Sequence, residues 1–422
     1  LLDLADQCVK CGYCLPQCPT FRLYRDESES PRGRIALIQG LLSGELTDGG
    51  RLGRHLDNCL ECLACEPACP SLVRYGELMD GARALRAAHL HGWRRALARR
   101  RLDLLSDPRR LRWLALLAAT YRRTGIAALL AWSGLLRSPR VAVLDALARR
   151  LQSPRRLRLP TADIEPTARR TRTQAPMPKP VALFVGCVAR GLQGATAEAS
   201  LRVLRRLGIA VRVPVDQGCC GAMHRHNGWP EAGDRLLERN TKGFGERPVV
   251  GFASACVVEL KRGLDATEIC RFLVDTPWPP DLRPRPLPGL TIVHEPCSHR
   301  NALRDSEAVY ALLARIPALE VRAADGNGSC CGAAGTYLLD HARTAVTLGD
   351  EKARRLARQL RNDDTSTRPC WLVTTNTGCA THLAARLRAQ GLSIEVLHPV
   401  ELLDRQLGGD AADAIRDNEV IP

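Results

Sequence analysis

A chain of 422 residues, 45% hydrophobic and 25% charged, carries enough apolar side chains for two or three packed domains, which excludes a disordered polypeptide. Its longest uncharged apolar stretch, Thr124 to Leu136, is shorter than the roughly 20 residues of a membrane span and suits a buried or interfacial helix instead. The net charge of +16 belongs to one segment, residues 83–172, which holds 22 Arg, no Lys and 5 acidic residues. Such a stripe fits an anionic lipid surface, an acidic partner or a solvated helical face. No groove-reading motif accompanies it, so nucleic acid is not an expected partner.

In chain order, the first element is a cysteine run, Cys8, Cys11, Cys14 and Cys18-Pro19, which returns as Cys59, Cys62, Cys65 and Cys69-Pro70. Steps of two residues wrap a tight loop so that successive thiolates reach different irons of one cluster. The prolines then turn the chain away without an N–H to satisfy. Structural zinc also takes C-x2-C pairs but has no use for a third evenly spaced cysteine and a Cys-Pro, and disulfides fit this pattern less well still. The doubled C-x2-C-x2-C-x3-C-P pattern is similar to the bacterial ferredoxin run, in which the fourth cysteine of each copy serves the other copy's cluster. That likeness implies one 4Fe-4S cluster on Cys8, Cys11, Cys14 and Cys69, and a second on Cys59, Cys62, Cys65 and Cys18.

Between the runs, Ser30 reads as an N-cap with Pro31 at the first helical position; Ile35, Leu37, Ile38, Leu41 and Leu42 follow at roughly helical spacing, and Gly44 ends the turn. A second helix is expected from Tyr75 through Leu90. Residues 1–90 therefore read as an alpha-helical ferredoxin module. From Gly92 to about Arg158, apolar positions such as Trp93, Leu97, Leu102, Trp113 and Leu117 recur among arginines and are punctuated by Pro108, Pro139 and Pro154. This predicts an Arg-rich helical connector over 91–173. Gln174 to Pro180 reads as a stiff linker.

The remainder repeats itself, once over 181–276 and again over 290–405, with a Pro-rich join from Pro277 to Pro288. A strand-like run ends at Gly186 before Cys187, a helix follows through Leu207, then come Gly218-Cys219-Cys220-Gly221 and a second strand-like run before Cys256. The second copy has Thr291 to His294 before Cys297, a helix around Val309 to Ile316, Ser329-Cys330-Cys331-Gly332, and Trp371 to Thr375 before Cys379. The alternation predicts parallel α/β units, giving an α+β multidomain chain overall, with cysteines just beyond the strand ends. Adjacent cysteines converge on one metal only in a turn, for which Gly218, Gly221 and Gly332 permit unusual dihedrals. Cys187, Cys219, Cys220 and Cys256 thus form one further metal-ligand set, and Cys297, Cys330, Cys331 and Cys379 another, each sufficient for an iron–sulfur cluster or zinc. Cys270 and Cys370 stand alone and read as small buried residues.

With both features in view, the chain resembles the iron–sulfur subunit of glycolate oxidase (glycolate dehydrogenase), in the group bearing paired cysteine-rich CCG domains. The likeness spans nearly the whole length and rests on both ferredoxin runs, Ser30 to Ile35, Cys69 to Tyr75, Gly186 to Val188, Gly218 to Gly221, Ser329 to Tyr337 and Thr377 to Leu383. It implies an electron-transfer subunit that partners a separate FAD-binding 2-hydroxy-acid dehydrogenase subunit and passes electrons toward quinone. No G-x-G-x-x-G unit opens a strand-turn-helix, so neither FAD nor NAD is expected on this chain, and the hydroxy acid is expected to be oxidised on the partner. Subunits of D-lactate and glycerol-3-phosphate dehydrogenases, and the heterodisulfide reductase catalytic subunit, share the architecture. In the last, each CCG motif ends in C-x-x-C; here Ala253 and Asn376 hold the first of those positions, which puts disulfide-cleaving chemistry in doubt. His294, Glu295, His224, His226 and His382 lie near CCG cysteines in sequence, where they either bond cluster sulfur and move protons or satisfy local contacts. The chain opens on Leu1, which leaves room for a lost N-terminal segment, and shows no signal peptide. The expected location is cytoplasmic, with a peripheral place on the inner membrane face as its extension.

Overall fold

The computed structural model describes residues 1–151, 179–362 and 368–408. The first 90 residues form five helices: α1 (Leu2–Asp6), α2 (Pro19–Tyr24), α3 (Pro31–Leu42), α4 (Gly50–Asp57) and α5 (Tyr75–Ala88). Ile35, Ile38, Leu52, Leu56, Leu78 and Met79 close their common core. Ser30 caps α3 as the sequence predicts, its Oγ accepting the Gly33 N–H at 2.9 Å. Gly33 is required there, because a Cβ would sit 1.9 Å from the Glu27 carbonyl oxygen. Helix α4 was not anticipated; only Leu52 and Leu56, one turn apart, mark its buried side.

Among the described residues the connector has four helices: α6 (Gly92–Ser106), α7 (Pro108–Arg123), α8 (Ile126–Trp132) and α9 (Pro139–Arg150). Pro108 and Pro139 each open a helix, where a missing N–H is harmless. The uncharged stretch from Thr124 is not buried, since Leu129 and Trp132 on α8 are 60% and 85% exposed. The connector beyond Leu151, Pro154 included, and the linker up to Met177 and Pro178 lie outside the described residues. Among the described residues no helix is long and apolar enough to cross a membrane.

Two units of the same plan follow. The first runs β1 (Val181–Phe184), α10 (Val188–Leu192), α11 (Gly194–Arg206), β2 (Val211–Arg212), α12 (Ala222–Arg225), α13 (Pro230–Phe244), β3 (Val249–Gly251), α14 (Ser254–Leu260), β4 (Ala266–Glu268) and α15 (Ile269–Asp275). The second runs β5 (Gly289–Val293), a wide turn at Ser298–Leu303, α16 (Glu307–Leu313), β6 (Leu319–Ala323), α17 (Tyr337–Asp340), α18 (Ala342–Asn362), β7 (Cys370–Val373), α19 (Thr377–Ala389), β8 (Glu395–Leu397) and α20 (Pro399–Gln406). Their parallel sheets have matching orders, β2-β1-β3-β4 and β6-β5-β7-β8, with registers such as Leu183↔Val250 and Ile292↔Leu372. One continuous core, including Val250, Ile269, Val293, Leu312 and Leu403, joins the two units. Across the same seam Asp404 accepts from Arg202 at 2.7 Å and Arg206 at 3.2 Å. In each sheet the chain leaves the two central strands toward opposite edges, and cysteines follow directly on those strands, at the place where open α/β sheets gather ligands.

Candidate metal centres

None of the eighteen cysteines is in a disulfide. Cys8, Cys11, Cys14 and Cys69 line one cavity, with Cys65 in the same wall. Cys65, in turn, lies within electrostatic reach of Cys62, Cys59 and Cys18, which add to burial in pushing its thiol well up. So the structure brings the last cysteine of each run to the first three of the other. The two loops share one backbone: Lys10 and Gly12 in the first, Glu61 and Leu63 in the second, all take positive φ at matching places. Left-handed non-glycine residues are uncommon and persist where a site demands them.

A buried polar network ties Cys18 to the second loop. Arg34, 0% exposed, donates from Nη2 to Glu29 Oε2 at 2.5 Å, from Nη1 to the Glu29 carbonyl at 2.6 Å and Thr20 Oγ1 at 3.1 Å, and from Nε to the His55 carbonyl at 2.7 Å. The Glu29 carboxylate also bonds His55 and Asn58, each at 2.7 Å. Thr20 Oγ1 lies 3.2 Å from Cys18 Sγ. Arg83 binds the Cys59 carbonyl at 2.7 Å and pairs with Glu61. Burial pushes the Cys59 thiol up, and the Arg34 and Arg83 cations oppose it. Sulfurs are gathered in fours without disulfides, and burial pushes the Cys14, Cys59, Cys62 and Cys65 thiols up, so that added positive charge favours their thiolates; iron supplies it, and the donor set fits the group.

The two CCG units gather four thiols each. Interacting pairs run Cys187–Cys219–Cys220–Cys256 in the first and Cys297–Cys330–Cys331–Cys379 in the second, where Cys331 and Cys379 sulfurs are 2.9 Å apart. Thiol hydrogen bonds from Cys187 and Cys220 pull Cys219 well down, and Cys297 and Cys331 do the same to Cys330. The CCG glycine explains itself: Gly221 and Gly332 have φ of +102° and +88°, and their N–H groups point at Cys219 and Cys330 sulfur at 3.5 and 3.4 Å. A Cβ there would meet the Gly233 carbonyl at 2.7 Å or the Ala345 carbonyl at 2.5 Å. Gly218 does not share this conformation, contrary to expectation; its N–H is held by Asn240 Oδ1 at 2.9 Å, so a side-chain acceptor rather than a positive φ shapes that end of the turn.

The surroundings of the two sets differ. Asn240 and Lys352 stand seven residues beyond Gly233 and Ala345, the residues that press on each CCG glycine, and so occupy matching places. Asn240 is neutral, whereas Lys352 is 2% exposed and donates to the Gly326 and Ser329 carbonyls at 3.2 and 2.7 Å. Burial pushes Lys352 down, and the four thiols of its set counteract this. Beside the first set, His224 lies against Cys219 and bonds Asp103 of α6 at 3.2 Å. Beside the second, His294 Nε2 is buried without a hydrogen-bond partner, and one ring nitrogen of His294 falls within 4.8 Å of the Cys331 and Cys379 sulfurs.

Sequence proximity misleads for the other polar residues. His226 turns to Glu61 at 2.6 Å and Asp80 at 2.9 Å in the ferredoxin module, because six residues of α12 and its turn carry it away from Cys220. His382 bonds the Ala345 carbonyl at 3.0 Å, and burial holds it down at about 4. Glu295 accepts from Tyr310 at 2.7 Å. Asn376 is the N-cap of α19, its Oδ1 accepting from the Gly378 N–H at 2.9 Å and the Cys379 N–H at 3.3 Å. Cys270 is a core residue of the first unit at 0% exposure. Asp103, Lys352 and Arg83 were not singled out from sequence and carry no local signal, since each reaches its site only through the fold; Arg34 lies in the Ser30 to Ile35 likeness, which gave it no role.

The second ferredoxin loop abuts the second CCG unit. Cys62 packs with Leu60, Cys297, Cys330 and Tyr337, and its carbonyl accepts from Asn301 Nδ2 at 2.7 Å. Burial and then the neighbouring Cys330 push the Cys62 thiol well up. Tyr337 donates to Asn58 Oδ1 at 2.7 Å, sealing the junction.

Comparison with known proteins agrees with this arrangement. A 4Fe-4S dicluster domain matches residues 4–95, and a cysteine-rich domain matches twice, over 181–261 and 291–384. The chain is 31% identical to the glycolate oxidase iron-sulfur subunit of Escherichia coli (strain K12), over 95% of this chain and 93% of that one. It is 29% identical to the probable glycolate oxidase iron-sulfur subunit of Bacillus subtilis (strain 168), over 94% and 92%. Lactate utilization protein A of Bacillus thuringiensis (strain Al Hakam) matches at 25% over 53% of this chain and 98% of its own length. With an N-terminal dicluster domain, paired cysteine-rich units and end-to-end similarity, the chain belongs to the glycolate oxidase iron–sulfur subunit family.

Proposed function

We propose that this chain relays electrons from a flavin on a partner 2-hydroxy-acid dehydrogenase subunit, glycolate being the first substrate to test, toward a quinone acceptor. The observation that carries the reading is a contiguous series of thiol sets. The first set shares a wall with Cys65 of the second, and Cys62 of the second packs against Cys297 and Cys330 of the second CCG unit. In this reading Cys8, Cys11, Cys14 and Cys69 hold one 4Fe-4S cluster, Cys59, Cys62, Cys65 and Cys18 hold another, and the CCG sets hold a further cluster or zinc. Bound clusters supply one-electron redox chemistry. The chain's own side chains bury or half-bury every ligand but the exposed Cys11 and set the local field: Arg34 and Arg83 by Cys59, and Lys352 by the second CCG set, favour an added electron. The domain limits follow the same reading, with the ferredoxin module over 1–90, the connector over 91–173 and the CCG units over 181–276 and 290–405.

The test is reconstitution. The chain alone, anaerobically loaded, is expected to show no turnover with glycolate or D-lactate, and to transfer electrons to a quinone analogue once the flavoprotein is added. Turnover by the isolated chain would overturn the relay reading, and preference for D-lactate would move the substrate assignment to the lactate relatives.

A further inference from the structure

Eleven of the twenty large hydrophobic residues exposed among the described residues fall between Trp93 and Leu144, on the connector. Helix α7 is the clearest case, because it is packed inside out. Ala115 and Ala118, at 3% and 7% exposure, face the protein, while Trp113, Leu116 and Leu117, at 71%, 43% and 67%, share the opposite face at steps of three and four. Helix α8 repeats this, burying Ala127 and exposing Ile126, Leu129 and Trp132. Ordinary surface helices do the reverse, so these faces lack their cover.

The charge identifies the cover. Residues 108–140 contain seven Arg and no Asp, Glu or Lys. The uncharged run Thr124 to Leu136 is bounded by Arg122-Arg123 on one side and Arg137 on the other, and Arg123, Arg137 and Arg140 are exposed. Gly125 and Gly134, with φ of +75° and +73°, turn the chain at either end of α8. An apolar centre with tryptophans and a cationic edge, too short to span, is the composition of a segment that lies in a bilayer interface, and each arginine adds attraction to anionic headgroups. Arg110 pairs with Asp107 at 3.3 Å and Arg122 donates to the Ala148 and Leu151 carbonyls, which leaves the exposed Arg123, Arg137 and Arg140 beside the apolar face for headgroup phosphates.

We propose that α7, α8 and the turn at Leu135–Arg137 form a docking surface for an anionic lipid bilayer, with the apolar side chains in the interface and the arginines among headgroups. Helix α7 packs against α10, which starts one residue after Cys187, so docking sets the first CCG unit beside the membrane. For its purpose the surface rests on the relay reading, but its test does not.

The full chain, purified with its iron, is sedimented with vesicles of phosphatidylcholine alone and of phosphatidylcholine with phosphatidylglycerol. Binding is expected only with the anionic vesicles, and weakened by salt. Arg123→Gln and Arg137→Gln are each expected to weaken it about fivefold, and Trp113→Ser with Trp132→Ser about tenfold or more, with iron content and helicity unchanged. Tryptophan fluorescence should shift to the blue on binding in the parent and less in the serine variant. No binding to anionic vesicles, equal binding to neutral ones, or unchanged binding by both variant sets would overturn the proposal. So would loss of flavoprotein association in the serine variant with vesicle binding intact, which would assign the patch to a protein. Failure of the relay reading would appear separately, as missing sulfide or missing turnover with the vesicle result unaffected.

Discussion

Replacing Arg34 by Met tests the network that holds the two ferredoxin loops together. Met keeps most of the length and packing but removes the charge and every donor. Left behind is the Glu29 carboxylate, 7% exposed, which retains His55 and Asn58 but loses its cation. Removing one partner of a buried pair costs about 3–5 kcal/mol, and the two surviving hydrogen bonds place this case near the lower end, about 3 kcal/mol. The same change removes the Arg34 donor from the Thr20 hydroxyl, which keeps only the Glu29 carbonyl at 2.8 Å and the Cys18 sulfur at 3.2 Å, so damage should concentrate on the set of Cys18, Cys59, Cys62 and Cys65. The assay is urea unfolding of the anaerobic, iron-loaded chain, read by visible absorption and by the paramagnetic signals of each cluster after reduction. Arg34→Lys, which keeps a charge without the planar fork, should fall between parent and Met variant. A loss below about 1 kcal/mol, or equal loss from both cluster signals, would refute the reasoning.

Cys18→Ser is expected to perturb the signal of the cluster shared with Cys59, Cys62 and Cys65; a spectrum in which only the other signal changes would contradict the crossed assignment. Gly332→Ala must hold an alanine at φ +88° against the Ala345 carbonyl, and should destabilise the second CCG unit by about 2 kcal/mol or more; an unchanged unfolding midpoint would be the contrary result. His226 stands well above its ordinary value, because Glu61 and Asp80 outweigh the burial that opposes its charge. A raised folded value means that its stabilisation is complete below the ordinary imidazole range and is lost as pH rises through the raised value. The effect is small, since the side chain is 45% exposed. Unfolding midpoints should therefore decline as pH rises through the neutral and mildly alkaline range, and His226→Gln should flatten that decline; equal slopes would count against it.

The chemistry of this chain is written locally and its tuning is not. The cysteine runs, the CCG turns and the Ser30-Pro31 cap were legible because each depends on residues a few positions apart, with a backbone reason for the spacing. Parallel sheets and the internal repeat were legible from strand-helix alternation. Helix α4 was missed because an eight-residue helix with two apolar residues has no periodicity to read. Lys352 and Asp103 were missed, and Arg34 was read only as part of the Ser30 to Ile35 likeness, for a different reason: their meaning lies in what tertiary packing places beside them. His226 shows the converse error, in which closeness along the chain was taken for closeness in space, and one turn of helix was enough to carry the ring to another domain. The exposed face of α8 was half read: its length excluded a span, but only the packing shows which side chains stay outside.

The account stands most directly on what fills the crossed thiol sets. Chemical analysis of anaerobically purified chain for iron, acid-labile sulfide and zinc, with low-temperature paramagnetic resonance after reduction, measures that in one preparation. The expected result is a brown protein with about eight iron and eight sulfide from the ferredoxin module alone, and two interacting reduced-cluster signals. A colourless protein with stoichiometric zinc, no labile sulfide and no signal would contradict it.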